Sequence, residues 1–79
     1  MTQEKDQEIK DRIARIMRKR RTELLLTQTE LAKRIGMSLK RLSNAENGKD
    51  GLTATEWFYF CEVTKTSPDI IMYYDAGKL

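Results

Sequence analysis

The segment TQTELAKRIGMSLKRLSNAENGK, residues 27–49, contains start and stop signals for two short helices placed close together. Thr27 and Glu30 have the spacing of a capping box, in which each side chain bonds the other residue's backbone N–H at a helix start. Gly36 can adopt the positive φ that ends this helix, and Ser38 is a suitable N-cap for the next one. Because both helices are short, each must pack against the other and against the rest of the chain.

The remainder of the chain also predicts helices. Apolar residues at helical spacing indicate an amphipathic first helix over about residues 4–25. A second capping box, from Thr53 to Glu56, opens a fourth helix, and Ser67-Pro68-Asp69 has the N-cap, proline and acidic residue that open a fifth. The apolar stripe of the first helix comprises Ile9, Ile13, Ile16, Met17 and Leu24. One face of the fourth helix comprises Trp57, Phe60, Cys61 and Thr64.

Length and composition fit one small domain over residues 1–79. One proline, four glycines and no long alternating apolar run predict a compact all-α fold of five helices. Residues 1–11 are expected to be an N-terminal helical extension, and residues 68–79 a C-terminal helix and tail. No apolar run approaches the ~20 residues needed to cross a bilayer, and the charged start lacks a signal-peptide core. We therefore expect a soluble, cytoplasmic protein with no membrane partner.

The content of cysteine and histidine argues against several kinds of site. The single cysteine, Cys61, cannot form an internal disulfide, and a zinc-finger pattern is impossible without histidine. The chain also lacks a Gly-rich phosphate loop and a nucleophile beside a base. We expect neither an enzyme nor a bound cofactor or metal, and we expect Cys61 to be a small apolar side chain of the core.

Positive charge is concentrated on the segment that contains the two short helices. Residues 12–49 contain eleven Lys/Arg and three Glu, a balance of +8, whereas residues 50–79 balance to −3 and residues 1–11 to −2. The net charge of +3 hides this asymmetry. Basic helices are often only solvated surfaces, but the coincidence with the capped pair predicts a surface for a polyanion.

The outward face of the second short helix is polar. If Leu42 points to the core, a helical wheel places Ser43 and Leu39 at the edges of the opposite face, whose centre is formed by Lys40, Asn44 and Asn47. Amide, hydroxyl and ammonium groups can hydrogen-bond the edges of bases. A merely solvated face would look the same. The two capped helices, however, have the layout of a helix-turn-helix, whose second helix enters the major groove of DNA.

The pattern TQxELAxxIGMSxxxLSxxENGK, with a helix-turn-helix at about residues 27–47, resembles the lambda-repressor-like family, also called the Cro or XRE type. The resemblance covers about residues 12–72. It implies a five-helix domain that binds double-stranded DNA as a homodimer, on a palindromic operator, and regulates transcription as a repressor or a small self-regulating switch. The two recognition helices of such a dimer would lie about 34 Å apart, one turn of duplex.

The resemblance also implies roles for single residues. Arg21 and Glu46 match a buried ion pair that fixes the first helix against the third. Leu39, Lys40 and Asn44 match base-reading positions, to which the helical wheel adds Ser43. The positions that contact phosphate are matched by Gln28, Ser38, Asn47 and Lys49.

Four features depart from the family pattern. Leu39 replaces a residue that is often polar, and it either contacts a thymine methyl or packs inward. Leu25 occupies the usual glycine position between the first two helices, so the first helix is expected to end differently. Asp50-Gly51 replaces residues that are often basic, which weakens an expected phosphate or minor-groove contact. The first ten residues extend beyond the usual start and are expected to add turns to the first helix.

Two alternatives concern contacts with proteins. An apolar group near the C-terminus exceeds what one core needs and predicts a dimer surface, although its tyrosines fit a role in capping the core equally well. This group comprises Ile70, Ile71, Tyr73 and Tyr74. Leu39 and Asp50 on the expected DNA side also fit an antitoxin or adaptor that uses the same fold to bind a protein partner.

Overall fold

Within residues 3–73, four helices and one further helical turn follow one another. A computed structural model describes the backbone of residues 3–73 and the side chains of residues 5–71. The helices are α1 (Gln3–Glu23), α2 (Gln28–Ile35), α3 (Leu39–Glu46) and α4 (Ala54–Thr64), and the helical turn is Ile70–Tyr73. Because this part of the chain contains no strand, the all-α prediction is confirmed, whereas a full fifth helix is not.

The end of α1 differs from the prediction of a helix reaching residue 25. Leu25 adopts a φ of +57°, which reverses the chain after Glu23. The Leu25 N–H donates to the carbonyl of Thr22, and the Leu26 N–H donates to that of Arg21, both at 3.0 Å. These two bonds form a Schellman motif, with leucine at the position where glycine is usual. The chain therefore turns sharply at Leu25 without a glycine.

The apolar stripe predicted for α1 is correct only in its middle. Ile13, Ile16 and Met17 are buried, whereas Ile9 is 43% and Leu24 is 41% exposed. Leu24 lies beyond the last helical residue, so helical spacing no longer sets its direction. Ile9 follows the same spacing, but the other helices do not cover α1 at that point.

All four helices contribute to one core. Helix α3 packs against both α1 and α2, and α4 packs against α2. The rings of Trp57 and Phe60 stack with their centroids 5.5 Å apart. None of the described helices has the length and hydropathy needed to span a bilayer. The buried apolar residues from the four helices are Ile13, Ala14, Ile16, Met17, Leu31, Ala32, Ile35, Leu42, Ala45, Trp57, Phe60 and Cys61.

The segment predicted to open a fifth helix forms a turn instead. Helical structure begins at Ile70, two residues later than the proline at position 68 suggested. The Ser67 hydroxyl bonds the Asp69 carboxylate, and the Ile70 N–H donates to the Ser67 carbonyl at 3.0 Å. The Trp57 indole N–H donates to the Pro68 carbonyl at 2.9 Å, so α4 anchors this turn. The predicted tail beyond residue 73 lies outside the described residues.

Candidate nucleic-acid interface

The turn between α2 and α3 is defined by local hydrogen bonds. Both halves of the capping box are formed: the Glu30 N–H donates to the Thr27 hydroxyl at 3.1 Å, and the Thr27 N–H donates to the Glu30 carboxylate at 2.9 Å. Gly36 ends α2 with a φ of +86°, and its N–H donates to the Ala32 carbonyl at 2.9 Å. Ser38 then caps α3 by accepting the N–H of the third helical residue at 3.1 Å. Local sequence thus determines the angle at which α3 leaves the turn.

One face of α3 is open to solvent. Lys40 is exposed, Leu39 is 47% exposed, and Ser43 and Asn44 are half-buried. On the opposite face Leu42 is fully buried. Leu39 therefore points outward, and of the two alternatives left by the sequence, inward packing does not occur. The four side chains suggested as base-reading lie on the accessible part of this helix.

The side chains suggested to contact phosphate differ in their exposure and in the hydrogen bonds that they already make. Lys49 and Asn47 are exposed, and the Asn47 amide is 3.5 Å from the Ser43 hydroxyl. The Ser38 hydroxyl serves as the N-cap of α3, although its side chain remains exposed. Gln28 donates its amide N–H to Glu46 at 3.1 Å and is half-buried. Contact between the Gln28 amide N–H and phosphate would compete with this bond.

Arg21 and Glu46 join α1 to α3. The guanidinium donates to both carboxylate oxygens, with distances of 2.8 Å from Nε to Oε2 and 3.0 Å from Nη2 to Oε1. Glu46 is only 1% exposed, so these bonds and the bond from Gln28 take the place of water around its carboxylate. Arg21 also donates to the Leu26 carbonyl at 3.0 Å, which attaches the α1–α2 junction to the same pair.

A second arginine–glutamate pair joins α3 to α4. Arg41 donates to Glu56 through Nη2 at 2.7 Å and through Nε at 3.1 Å. These hydrogen bonds raise the pKa of Arg41 and lower the pKa of Glu56 from their ordinary values. Glu56 also closes the Thr53 capping box, so one carboxylate both starts α4 and holds α3. Although Arg41 lies on α3, its guanidinium is already bound to Glu56.

Two contacts of this surface, those of Asp50 and of Gln7, were not predicted from the sequence. Asp50 lies 3.3 Å from the amide nitrogen of Asn44 and 3.9 Å from a guanidinium nitrogen of Arg41. Gln7, in the N-terminal extension, donates to the Gly48 carbonyl at 2.9 Å. The acidic Asp50 was visible as a departure, but its partners come from tertiary packing. No local pattern predicts a contact across 41 residues.

The basic charge of residues 12–49 is only partly available for a ligand. Arg20 donates to the Thr64 carbonyl, the Thr66 hydroxyl and Glu23, and Arg21 is bound to Glu46. Their neighbours in the run, Arg18 and Lys19, are exposed. The run of four basic residues therefore divides into a structural half and a solvent-facing half.

Of the side chains suggested as a dimer surface, the two that the structure describes are only partly accessible. Ile70 and Ile71 are half-buried and pack against the core. The side chain of Tyr73, and the whole of Tyr74, lie outside the described residues. Two aromatic side chains of α4 that the sequence analysis did not select, Phe58 and Tyr59, are 58% and 52% exposed. On a helical wheel both lie more than about 90° from the centre of the buried face that contains Trp57 and Phe60.

Comparison with known proteins agrees with this arrangement. A family model described as helix-turn-helix matches residues 17–71, which span the helices from the middle of α1 to the final helical turn. A search of curated proteins found no match to the chain. The matched family is one of DNA-binding transcription regulators. The chain belongs to the Cro/C1-type, lambda-repressor-like helix-turn-helix family.

Proposed function

We propose that this protein is a sequence-specific transcription regulator that places α3 in the major groove of double-stranded DNA. The observation that supports it is an eight-residue helix whose outer face presents Leu39, Lys40 and Asn44, attached on both sides by arginine–glutamate pairs. Rigid attachment favours binding because a helix that already has a fixed position loses less conformational entropy when its side chains contact bases. Lys40 and Asn44 can bond base edges, and Leu39 can contact a thymine methyl.

Base reading and phosphate binding are assigned to different residues. Replacing Asn44 by alanine should relax base preference and weaken binding to the cognate site by about 1–3 kcal/mol. Replacing Lys49 by alanine should weaken binding to all sequences and flatten the salt dependence, because a lysine–phosphate contact releases counterions. Site selection from random DNA at fixed salt, followed by titration of both variants, tests this. Equal, sequence-independent losses in both variants would refute base reading by α3.

We further propose that the regulator acts as a homodimer on a palindromic operator, as a repressor or a self-regulating switch. The C-terminal part of the chain provides the dimer contact: it contains the half-buried Ile70 and Ile71, and α4 exposes Phe58 and Tyr59. Site selection should then return half-sites about 34 Å apart. Sedimentation that detects only monomer at high micromolar concentration, with and without DNA, would exclude the dimer.

An antitoxin or adaptor is the second candidate function. It is favoured by two observations: Leu39 is 47% exposed on the expected DNA face, and the loop that follows α3 places acidic Asp50 3.3 Å from Asn44 of that face. In this case purification should yield a stoichiometric protein partner, and the protein should show no salt-sensitive retention on DNA. Salt-sensitive retention of the isolated protein on a selected DNA site supports the regulator instead.

A further inference from the structure

The loop after α3 directs a carboxylate toward the recognition helix. Asp50 Oδ2 lies 3.3 Å from Asn44 Nδ2, and the Asp50 side chain is 50% exposed. Arg41 Nη1 approaches the same oxygen to 3.9 Å while its other nitrogens bind Glu56. Asp50 therefore lies between a base-reading candidate and a fixed guanidinium.

The position of this loop is determined by the backbone. The N–H groups of Lys49 and Asp50 both donate to the Asn44 carbonyl, at 3.0 and 3.4 Å. From the other side, Gln7 of α1 donates to the Gly48 carbonyl at 2.9 Å. Because the loop is bonded to α3 and to α1, the carboxylate of Asp50 stays close to the amide of Asn44.

This contact determines which way the amide group of Asn44 faces. An ionised carboxylate only accepts hydrogen bonds, so the amide nitrogen of Asn44 must face Asp50. The amide oxygen and the second N–H then remain for a base. In the major groove only adenine N6 and cytosine N4 can donate to that oxygen, and adenine adds N7 as an acceptor for the N–H. Guanine and thymine present only acceptors there, so they could accept the second N–H but would leave the amide oxygen without a donor.

We propose that Asp50 is a specificity-determining residue, which orients the amide of Asn44 so that α3 requires a base amino group, foremost that of adenine, at one position of the site. The inference rests on the proposed function of α3 as the reading helix. Asp50 also adds a negative charge near the phosphates, so it trades affinity for selectivity.

Binding to DNA with single groups removed tests the inference. The base pair contacted by Asn44 is first identified as the one whose preference disappears in Asn44→Ala. The base amino group at that pair is then deleted, by purine in place of adenine or by 2-pyrimidinone in place of cytosine. Deletion of the amino group should lower the affinity of the wild-type protein about tenfold. It should lower the affinity of Asp50→Ala only about twofold, because the amide of Asn44 can then rotate and present its nitrogen to the altered base.

Matched controls separate orientation from charge and from folding. Glu62→Gln removes one exposed negative charge from α4 and should keep the wild-type response of about tenfold. Asp50→Asn retains an oxygen acceptor but also offers a donor, so it should fall between wild type and Asp50→Ala. Thermal unfolding of each variant verifies that it is folded.

The outcomes distinguish this inference from the proposed function. If wild-type protein binds a selected site in a salt-sensitive way but ignores deletion of the amino group, the orientation by Asp50 is wrong while the regulator stands. The orientation is equally wrong if Asp50→Ala responds to the deletion as strongly as wild type does. Absence of any sequence-specific DNA binding by the wild type overturns the proposed function and this inference together.

Discussion

Helix α3 is attached to α1 and to α4 by similar arginine–glutamate pairs that differ in their access to water. Toward α1, the carboxylate of Glu46 is almost fully buried and receives bonds from Arg21 and Gln28. Toward α4, Arg41 and Glu56 keep 32% and 23% of their side chains exposed. Water can replace a lost hydrogen-bond partner only where it has access. Removing one partner of the Arg21–Glu46 pair should therefore reduce stability much more than removing one partner of the Arg41–Glu56 pair.

The largest effect is expected from Arg21→Met. This change leaves the buried Glu46 carboxylate with only the bond from Gln28, and the free energy of unfolding should fall by about 3 kcal/mol. Urea unfolding at pH 7 measures the loss. Arg18→Met, at an exposed position of the same helix, should change stability by no more than about 0.5 kcal/mol.

A double variant shows whether the loss comes from the unpaired charge. Arg21→Met combined with Glu46→Leu removes both charges and should recover much of the lost stability, because an apolar pair of similar volume often replaces a buried ion pair without loss. If the double variant is as unstable as the single one, the pair matters through its shape and its bond to Leu26 rather than through charge.

Gly48→Ala tests the contact between α1 and the loop that follows α3. Gly48 has a φ of +74°, and a Cβ there would lie 2.9 Å from an Asp11 carboxylate oxygen that accepts a bond from Gln7. Backbone strain and the displaced Asp11 together should lower stability by about 2 kcal/mol. Gly36→Ala has a similar φ with open space around it, so it should cost less in the same urea experiment. Equal losses would show that the α1 extension adds nothing to the loop.

Local signals predicted the elements of the site, whereas tertiary contacts determined how free its side chains are. The two capping boxes and Gly36 were readable because their bonds join residues within one turn of each other. The wheel of α3 was readable because Leu42 must be buried in so small a core. By contrast, the contacts of Gln28 with Glu46 and of Arg41 with Glu56 join separate helices. No spacing rule distinguishes such engaged side chains from free ones.

On the α4 side, Glu56→Gln is expected to lower stability by about 1 kcal/mol at pH 7, and the effect should depend on pH. The hydrogen bonds from Arg41 are the main cause of the lowered pKa of Glu56, which is ordinarily 4.5. A lowered pKa in the folded state gives stability that is present above about pH 4.5 and lost as pH falls through the lowered value. Urea unfolding of wild type and Glu56→Gln should therefore converge in acid.

Glu30→Gln is the matched control for this experiment. Glu30 closes the same kind of capping box as Glu56 but has no arginine hydrogen-bonded to it among the described contacts, and the Thr27 backbone bond is the main cause of its lowered pKa. The difference between the two variants measures what Arg41 adds beyond the cap. If both variants lose the same free energy of unfolding at every pH, the Arg41–Glu56 pair contributes no stability and only orients the Arg41 side chain.

The smallest effect, a gain in stability, is expected from Leu25→Gly at the junction bonded to Arg21. Leu25 is 88% exposed and has a φ of +57°, so its removal loses little packing and relieves about 1 kcal/mol of strain. The larger entropy of unfolded glycine offsets about half of this, leaving a rise in melting temperature of about 3 °C. Lys65→Gly, with a φ of +56° after α4, should gain equally if the strain is local. A larger gain for Leu25→Gly than for Lys65→Gly would show that strain at Leu25 weakens the bonds of Arg21 to Leu26 and Glu46. The strain would then limit how rigidly α3 is attached to α1.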